Sequence, residues 1–275
     1  MNIEPTLSAL FSYPVKACGA LSHMQIELDE RGPIWDRRWM VIDVNDMFVT
    51  QREHPAMALI QPTFAGDCLY LAAPGMPTVG IALHREPAPI SKVQVWKDVC
   101  EAWDEGETLA SWLSDYLHTP VRLVRMADNF VRPVDSRYAL QPAQTGFSDG
   151  FPLLIVSEAS LAELNRHLTA RGSEPIPMSR FRPNLVVTGC DAFAEDTWRT
   201  VQIGSMTLDV VKPCARCVVT TVDQATGTVP DSAEPLATLK TFRQQNNKVM
   251  FAQNAIHYAP GTLVVGDVVT VQTTR

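Results

Sequence analysis

Residues 212–222 read Lys212-Pro213-Cys214-Ala215-Arg216-Cys217-Val218-Val219-Thr220-Thr221-Val222. Cys214 and Cys217 are the one closely spaced pair among six cysteines. Cys18, Cys68, Cys100 and Cys190 are scattered singly, the pattern of small buried hydrophobes in a reducing compartment. Three chemistries and one inert reading compete for the pair. A structural zinc site wants four ligands, commonly two such pairs; no second pair and no histidine at ligand spacing accompanies this one. A dithiol redox pair normally opens a helix, whose N-terminus lowers the thiol pKa. Here the β-branched run after Cys217 predicts a strand that ends at the turn 223–227. A single reactive thiolate beside Lys212 and Arg216 suits a thiophilic metal. Two inert core cysteines satisfy the composition equally well.

Working outward, residues 201–211 predict a hairpin turning at Gly204-Ser205. Pro235, at a first helical position, predicts a helix over 236–242. The runs 263–265 and 268–271 flank Gly266-Asp267, a hairpin turn signal. Upstream, 152–156 reads as a buried strand, and Ser157 caps a helix with Leu161, Leu164 and Leu168 on one face. A short strand follows at 185–187. In the first half, 24–28, 39–44, 68–72, 79–83 and 93–96 read as strands. Leu109, Trp112, Leu113, Tyr116 and Leu117 recur at helical spacing until Thr119-Pro120 stops them, and 121–124 is a strand. Residues 127–150 are polar, with Pro133 and Pro142, and predict a linker or an active-site loop. Many short strands with few helices predict a barrel-like α+β architecture.

The 275 residues carry 46% hydrophobic and 19% charged side chains, the balance of a globular protein with a real core. A net charge of −7 argues against nucleic-acid partners. No apolar stretch reaches the roughly 20 residues of a membrane span. Residues 7–15 are apolar, but Glu4 precedes them and Pro14 interrupts them, so a signal peptide is not expected. The chain is expected to be cytoplasmic, with no membrane partner.

Further blocks stand in a recognisable order. Tyr13-Pro14-Val15-Lys16 and Trp35-Asp36-Arg37-Arg38-Trp39-Met40-Val41-Ile42 lie near the start. Phe147-Ser148-Asp149-Gly150, Ser157-Glu158-Ala159-Ser160-Leu161 and Phe181-Arg182-Pro183-Asn184 follow. Then come Ala194-Glu195-Asp196 with Trp198, the Lys-Pro-Cys-Ala-Arg-Cys block leading into Thr220-Thr221-Val222-Asp223, and Glu234-Pro235-Leu236. The series ends with Gly261 and Gly266-Asp267. In order and spacing these blocks resemble the MOSC proteins with an attached N-terminal β-rich domain. That group includes the mitochondrial amidoxime-reducing components, their bacterial relatives and the C-terminal domain of molybdenum-cofactor sulfurases.

The resemblance implies a β-rich α+β fold, with an N-terminal β-barrel domain over 1–122 packed on a MOSC β-barrel domain over 123–275. It implies a molybdenum cofactor, with Cys217 as both catalytic residue and metal ligand. Lys16, Arg37 and Arg182 match positions that hold the cofactor's phosphate and pterin. Asp149, Gly150, Phe151, Ala215, Arg216 and Asn254 match the rest of the pocket. Arginine suits such a ligand through planar bidentate donors and lysine as a point charge. Ala17 and Ala215 replace serines common in relatives, and Asn254 replaces an aromatic residue. The implied activity is reduction of small N-hydroxylated compounds. Some relatives carry a C-terminal ferredoxin domain; with no cysteine after Cys217, electrons are expected from a separate flavoprotein reductase or ferredoxin-type protein. A cofactor carrier or sulfur-transfer module without reductase activity is the rival expectation.

Overall fold

In the computed structural model, which describes residues 4–85 and 89–275, the long strand Lys248–His257 lies at the centre of the largest sheet. Across that sheet the order is Val269–Thr274, Trp198–Ile203, Met206–Ala215, Lys248–His257, Leu153–Ser157, Leu185–Thr188, Thr6–Ser12 and Leu21–His23. Gln244–Gln245 pairs with Lys248–His257 off this path. Neighbours are antiparallel except Leu153–Ser157 with Leu185–Thr188. A parallel pair needs a crossover, and the helix Glu158–Ala170 supplies it. Ser157 caps that helix by accepting from the Ser160 amide, as the sequence predicts.

Side-chain alternation explains why these strands look continuously apolar. Leu153, Ile155, Leu185 and Val187 join an interior cluster with Leu7, Leu10, Val201 and Leu208. Their neighbours Leu154, Val156 and Val186 face the other way, against Leu164 and Leu168 of the helix and Leu239. Burial on both faces removes the polar half of the pattern.

The expected barrel is not closed. Among the described residues, the ends of the large sheet meet through one isolated bridge, Thr6 with Val268. Three backbone bonds reinforce it, Leu7 N to Asp267 O, Gly266 N to Leu7 O and Val269 N to Pro5 O, at 2.9, 2.8 and 2.7 Å. This contact also overturns the hairpin expected at Gly266-Asp267. The flanking strands diverge: Gly261–Val264 pairs with Gln25–Asp29, and Val269–Thr274 with Trp198–Ile203. A turn signal reverses the chain locally but does not choose strand partners, and here the first strand bonds to residues 266–269 at the turn itself.

A second, four-stranded sheet is ordered Trp39–Ile42, Arg122–Met126, Asp98–Asp104, Ile90–Val95. On one face Trp39, Val41 and Leu123 pack against Leu109, Trp112 and Leu113 of the helix Glu107–Leu117. On the other, Met40, Ile42 and Val124 pack with Phe147. A third sheet, Gln61–Ala65, Cys68–Ala72 and Val79–Ala82, contributes Leu69, Leu71 and Ile81 to the first of those clusters. Val15 and Cys18 join that same cluster, but two strands of the first thirty residues do not stay with these sheets. Thr6–Ser12 and Gln25–Asp29 pair with strands from the end half of the chain.

Three local expectations are corrected. Residues 218–221 form a 3₁₀ turn, Val218–Thr221, not a strand. Thr220 and Thr221 hydroxyls donate back to Cys217 O and Val218 O, at 2.9 and 2.7 Å, an alternative to ladder bonding open to short polar side chains. The contrast with a helix-opening dithiol therefore rests on the partners of each sulfur, not on a strand. Pro235 stands at the N-cap of a shorter helix, Leu236–Lys240. Of the scattered cysteines, Cys18 and Cys100 are fully buried, and burial pushes their thiols up to about 12 and about 11, but Cys68 and Cys190 are half-buried.

Candidate functional site

A cavity of about 610 Å³ is lined by Lys16, Arg37, Asp149, Gly150, Phe151, Arg182, Ala215, Arg216, Cys217 and Asn254, so every residue singled out from the sequence meets there. The volume suits a cofactor-sized ligand. Arg52, Arg137, Lys212 and Lys248 also line it. Eight cationic side chains thus face one carboxylate, Asp149, among the described residues. In a chain of net charge −7, that concentration marks an anion site.

The cysteine side is built by an irregular strand. Met206–Ala215 pairs with Lys248–His257 with register shifts at 210–212 and 213–215. Such bulges admit Pro213 into the sheet and re-aim the neighbouring side chains. Asn254 Nδ2 donates to Lys212 O at 3.1 Å and pins one bulge. Cys214 and Cys217 then diverge. Arg216 Nη1 donates to Cys214 Sγ at 3.0 Å, while its Nη2 donates to Phe181 O at 2.8 Å. Cys217 Sγ accepts from Arg52 Nη2 at 3.4 Å. The cations adjacent in sequence are therefore not the ones on Cys217. Lys212 lies 4.8 Å from the Tyr138 ring centroid, and the guanidinium on the sulfur comes from the other half of the chain. Among the described residues, no three His, Cys, Asp or Glu side chains converge to hold a metal, so a multi-ligand zinc cluster has no geometric support.

The arginine side is held by loops in left-handed conformations. Ala17, Arg37 and Arg182 have φ of 67°, 47° and 54°, a region uncommon for residues with a Cβ and often found where a site constrains the backbone. Arg37 is fixed by an ion pair to buried Asp36, by Asn184 Oδ1 at 3.2 Å and by Arg182 O at 3.4 Å. Gly146 is required behind it, because a Cβ there would lie 2.7 Å from Arg37 O. The Arg37 and Arg182 guanidinium carbons both lie 4.2 Å from the Tyr13 ring centroid. Burial lowers the Arg182 pKa from 12.5 to about 10, with nearby Arg37 adding to the fall. Burial likewise pushes Tyr13 up to about 12, against the pull of both arginines. Arg182 Nη2 and Arg216 Nε are buried without a hydrogen-bond partner among the described residues. Unpartnered buried donors cost stability, and both belong to cavity-lining residues.

Lys16, 6% exposed, donates to Phe147 O at 2.8 Å and to Asp149 Oδ1 at 2.6 Å. Burial lowers its pKa, and Asp149 opposes the fall. The Asp149 side chain, 69% exposed, also accepts from Trp96 Nε1 at 3.0 Å. Its surroundings penalise charge, but Lys16, Trp96 and Arg52 outweigh that and hold the carboxyl below the usual range. Asp149 is therefore an ionised acceptor at neutral pH.

Sequence reasoning missed Arg52 and Trp96, and did not assign Asn184 a role. Asn184, 2% exposed, accepts from Arg37 and from Leu154 N, and donates to Phe11 O at 3.1 Å. It joins two strands of the large sheet to the arginine loop. Nothing local marks Arg52; a lone Arg between Gln51 and Glu53 reads as surface.

Comparison with known proteins matches residues 4–120 to the MOSC N-terminal beta barrel domain and residues 142–270 to the MOSC domain. The chain is 36% identical to mitochondrial amidoxime-reducing component 1 of Homo sapiens, over 95% of this chain and 81% of that protein. It is 35% identical to mitochondrial amidoxime reducing component 2 of Bos taurus, over 95% and 82%. It is 30% identical to molybdenum cofactor sulfurase of Bos taurus, over 80% of this chain and 27% of that protein.

Proposed function

The chain belongs to the MOSC family, with the N-terminal barrel domain attached, and on that premise we propose that it binds a molybdenum cofactor and reduces N-hydroxylated compounds. The observation that carries the reading is the cationic cavity, lined by a half-buried thiol and by arginines that carry unpartnered buried donors. The donors fit the group. A phosphate and a flat hydrogen-bonding pterin offer the acceptors that Arg182 Nη2 and Arg216 Nε lack, and a thiolate suits molybdenum.

In this reading Cys217 is the metal ligand. Arg37, Arg182 and Lys16 hold the phosphate and pterin, and Asp149, Gly150, Phe151, Ala215, Arg216 and Asn254 complete the wall. Cys214 is bound to Arg216 and shapes the loop without touching metal. The cofactor, when bound, supplies the two-electron redox chemistry. Reduction of an amidoxime consumes two electrons and two protons, breaks the N–O bond and releases water and an amidine. Asp149, ionised beside Lys16, serves as an acceptor that orients an N–H or O–H of the substrate, not as the proton source. The amidine product is a stronger base than the amidoxime and is cationic at neutral pH, so a wall of eight cations favours its departure. A separate redox protein supplies the electrons.

Metal analysis of protein from a host that makes the cofactor tests the ligand. Stoichiometric molybdenum is expected in wild type and Cys214→Ala and none in Cys217→Ala; equal loss in both variants overturns the assignment. Reduction of a hydroxylaminopurine with an artificial donor tests the activity, and turnover no higher than that of Cys217→Ala rejects the reductase. The likeness to part of a molybdenum cofactor sulfurase favours one rival, carriage of cofactor or sulfur. Transfer of bound cofactor to an acceptor enzyme, without reductase turnover, is its signature.

A further inference from the structure

Trp96 occupies a position where a bulky residue is costly. It is the first residue of the two-residue turn between Ile90–Val95 and Asp98–Asp104, and its φ is 55°. Asn or Gly is favoured in such a turn because of the left-handed backbone. The indole is nevertheless fixed from three sides. Its Nε1 donates to Asp149 Oδ1 at 3.0 Å. The Phe48 ring lies 5.0 Å away at 52°, and the Arg52 guanidinium carbon lies 4.6 Å from its centroid. Arg52 in turn donates to Cys217 Sγ, so the width of one guanidinium separates the indole from the thiol. Trp96 still leaves 41% of its surface exposed. Trp96, Phe48 and Arg52 line an open depression that shares Arg52 with the main cavity.

A strained, hydrogen-bonded aromatic beside the reactive sulfur points to a binding role. We infer that Trp96 and Phe48 form a shelf that stacks the flat aromatic part of the substrate, with Arg52 at its inner edge directing the N–O oxygen toward the site of Cys217. The class selected is planar aryl or heteroaryl N-hydroxylated compounds over aliphatic ones. The partly exposed ring supplies a π surface and the guanidinium a fixed donor. This assignment rests on the proposed reductase reading for the meaning of the substrate, but the binding surface itself does not require turnover.

The test uses the full chain with cofactor, comparing wild type, Trp96→Asn and Trp96→Phe. Asn suits the left-handed turn, so the hairpin is preserved while the ring is removed; Phe keeps a ring and removes the bond to Asp149. One readout is the ratio of kcat/KM for benzamidoxime to that for acetamidoxime, with an artificial donor. The other is calorimetric binding of benzamidoxime without any donor. Trp96→Asn is expected to lower the ratio, and to weaken binding, by roughly two- to tenfold, the size of one aromatic pair. Trp96→Phe is expected to keep most of both. An unchanged ratio and unchanged binding in Trp96→Asn overturn the shelf while leaving the reductase standing. Trp96-dependent binding without turnover in wild type leaves the shelf standing and rejects the reductase.

Discussion

Replacing Arg182 by Met separates stability from ligand binding. The guanidinium is crowded by Arg37 and carries a buried unpartnered Nη2. A fall in pKa from 12.5 to about 10 corresponds to about 3 kcal/mol of unfavourable charge burial at neutral pH. Against this, the bond from Nη1 to Gln224 Oε1 at 3.3 Å and the contact with Tyr13 together contribute about 1–2 kcal/mol. An apolar side chain of similar length is therefore expected to stabilise the ligand-free protein by about 1–2 kcal/mol, in line with other buried charges replaced by apolar groups. The gain is roughly 2–6 °C in Tm for a chain of this size. The sign with pH is also defined. Burial lowers the folded-state pKa below the unfolded one, so the wild-type penalty is complete at neutral pH and can fade only in strongly alkaline solution. Thermal melts of ligand-free wild type and Arg182→Met, each with and without a pterin monophosphate, provide the assay. Wild type should gain Tm on adding the ligand, and the variant should gain little. A ligand-free variant that melts several degrees below wild type would refute the reasoning, because Arg182 would then be a structural residue whose burial is already compensated.

Two further outcomes follow from the same contacts. Asn184→Ala leaves Leu154 N and Phe11 O short of a buried partner and frees Arg37; the expected loss is about 2–4 kcal/mol, measured by urea denaturation, and a change below about 0.5 kcal/mol, the scale of ordinary surface substitutions, would contradict its role as a hub. Asp149→Asn removes the charge that opposes the burial-driven fall in the Lys16 pKa. Lys16 then loses its proton at lower pH, so binding of a pterin monophosphate should decline at lower pH than in wild type; superimposable pH profiles by calorimetry would show that Lys16 does not hold the anion.

How far the chain is legible without its structure differs by kind of residue. The helix at Glu107–Leu117 and the strand Cys68–Ala72 lie where apolar spacing predicts them, because each buries one face and so keeps its period. Lys248–His257, the centre of the large sheet, leaves no such signature. It is buried on both sides over most of its length and mixes Ala, Gln and Asn with apolar residues, so alternation is absent and propensity is weak. The run after Cys217 looks like a strand, but hydroxyls three residues on satisfy its carbonyls and curl it into a turn.

The sequence by itself determined the family, and it named Lys16, Arg37, Arg182 and Arg216, four of the eight cations that line the cavity with Cys217, because these are matters of residue type in a given order. Tertiary structure alone decided which cation touches which sulfur, where the sheet stops short of closing, and that Trp96 stands one guanidinium away from Cys217. The 165 residues that separate Arg52 from Cys217 along the chain give the reason. Spacing encodes contacts within a helix face or across a short turn, whereas contacts between distant segments arise only when the packed sheets bring two loops to the same cavity wall.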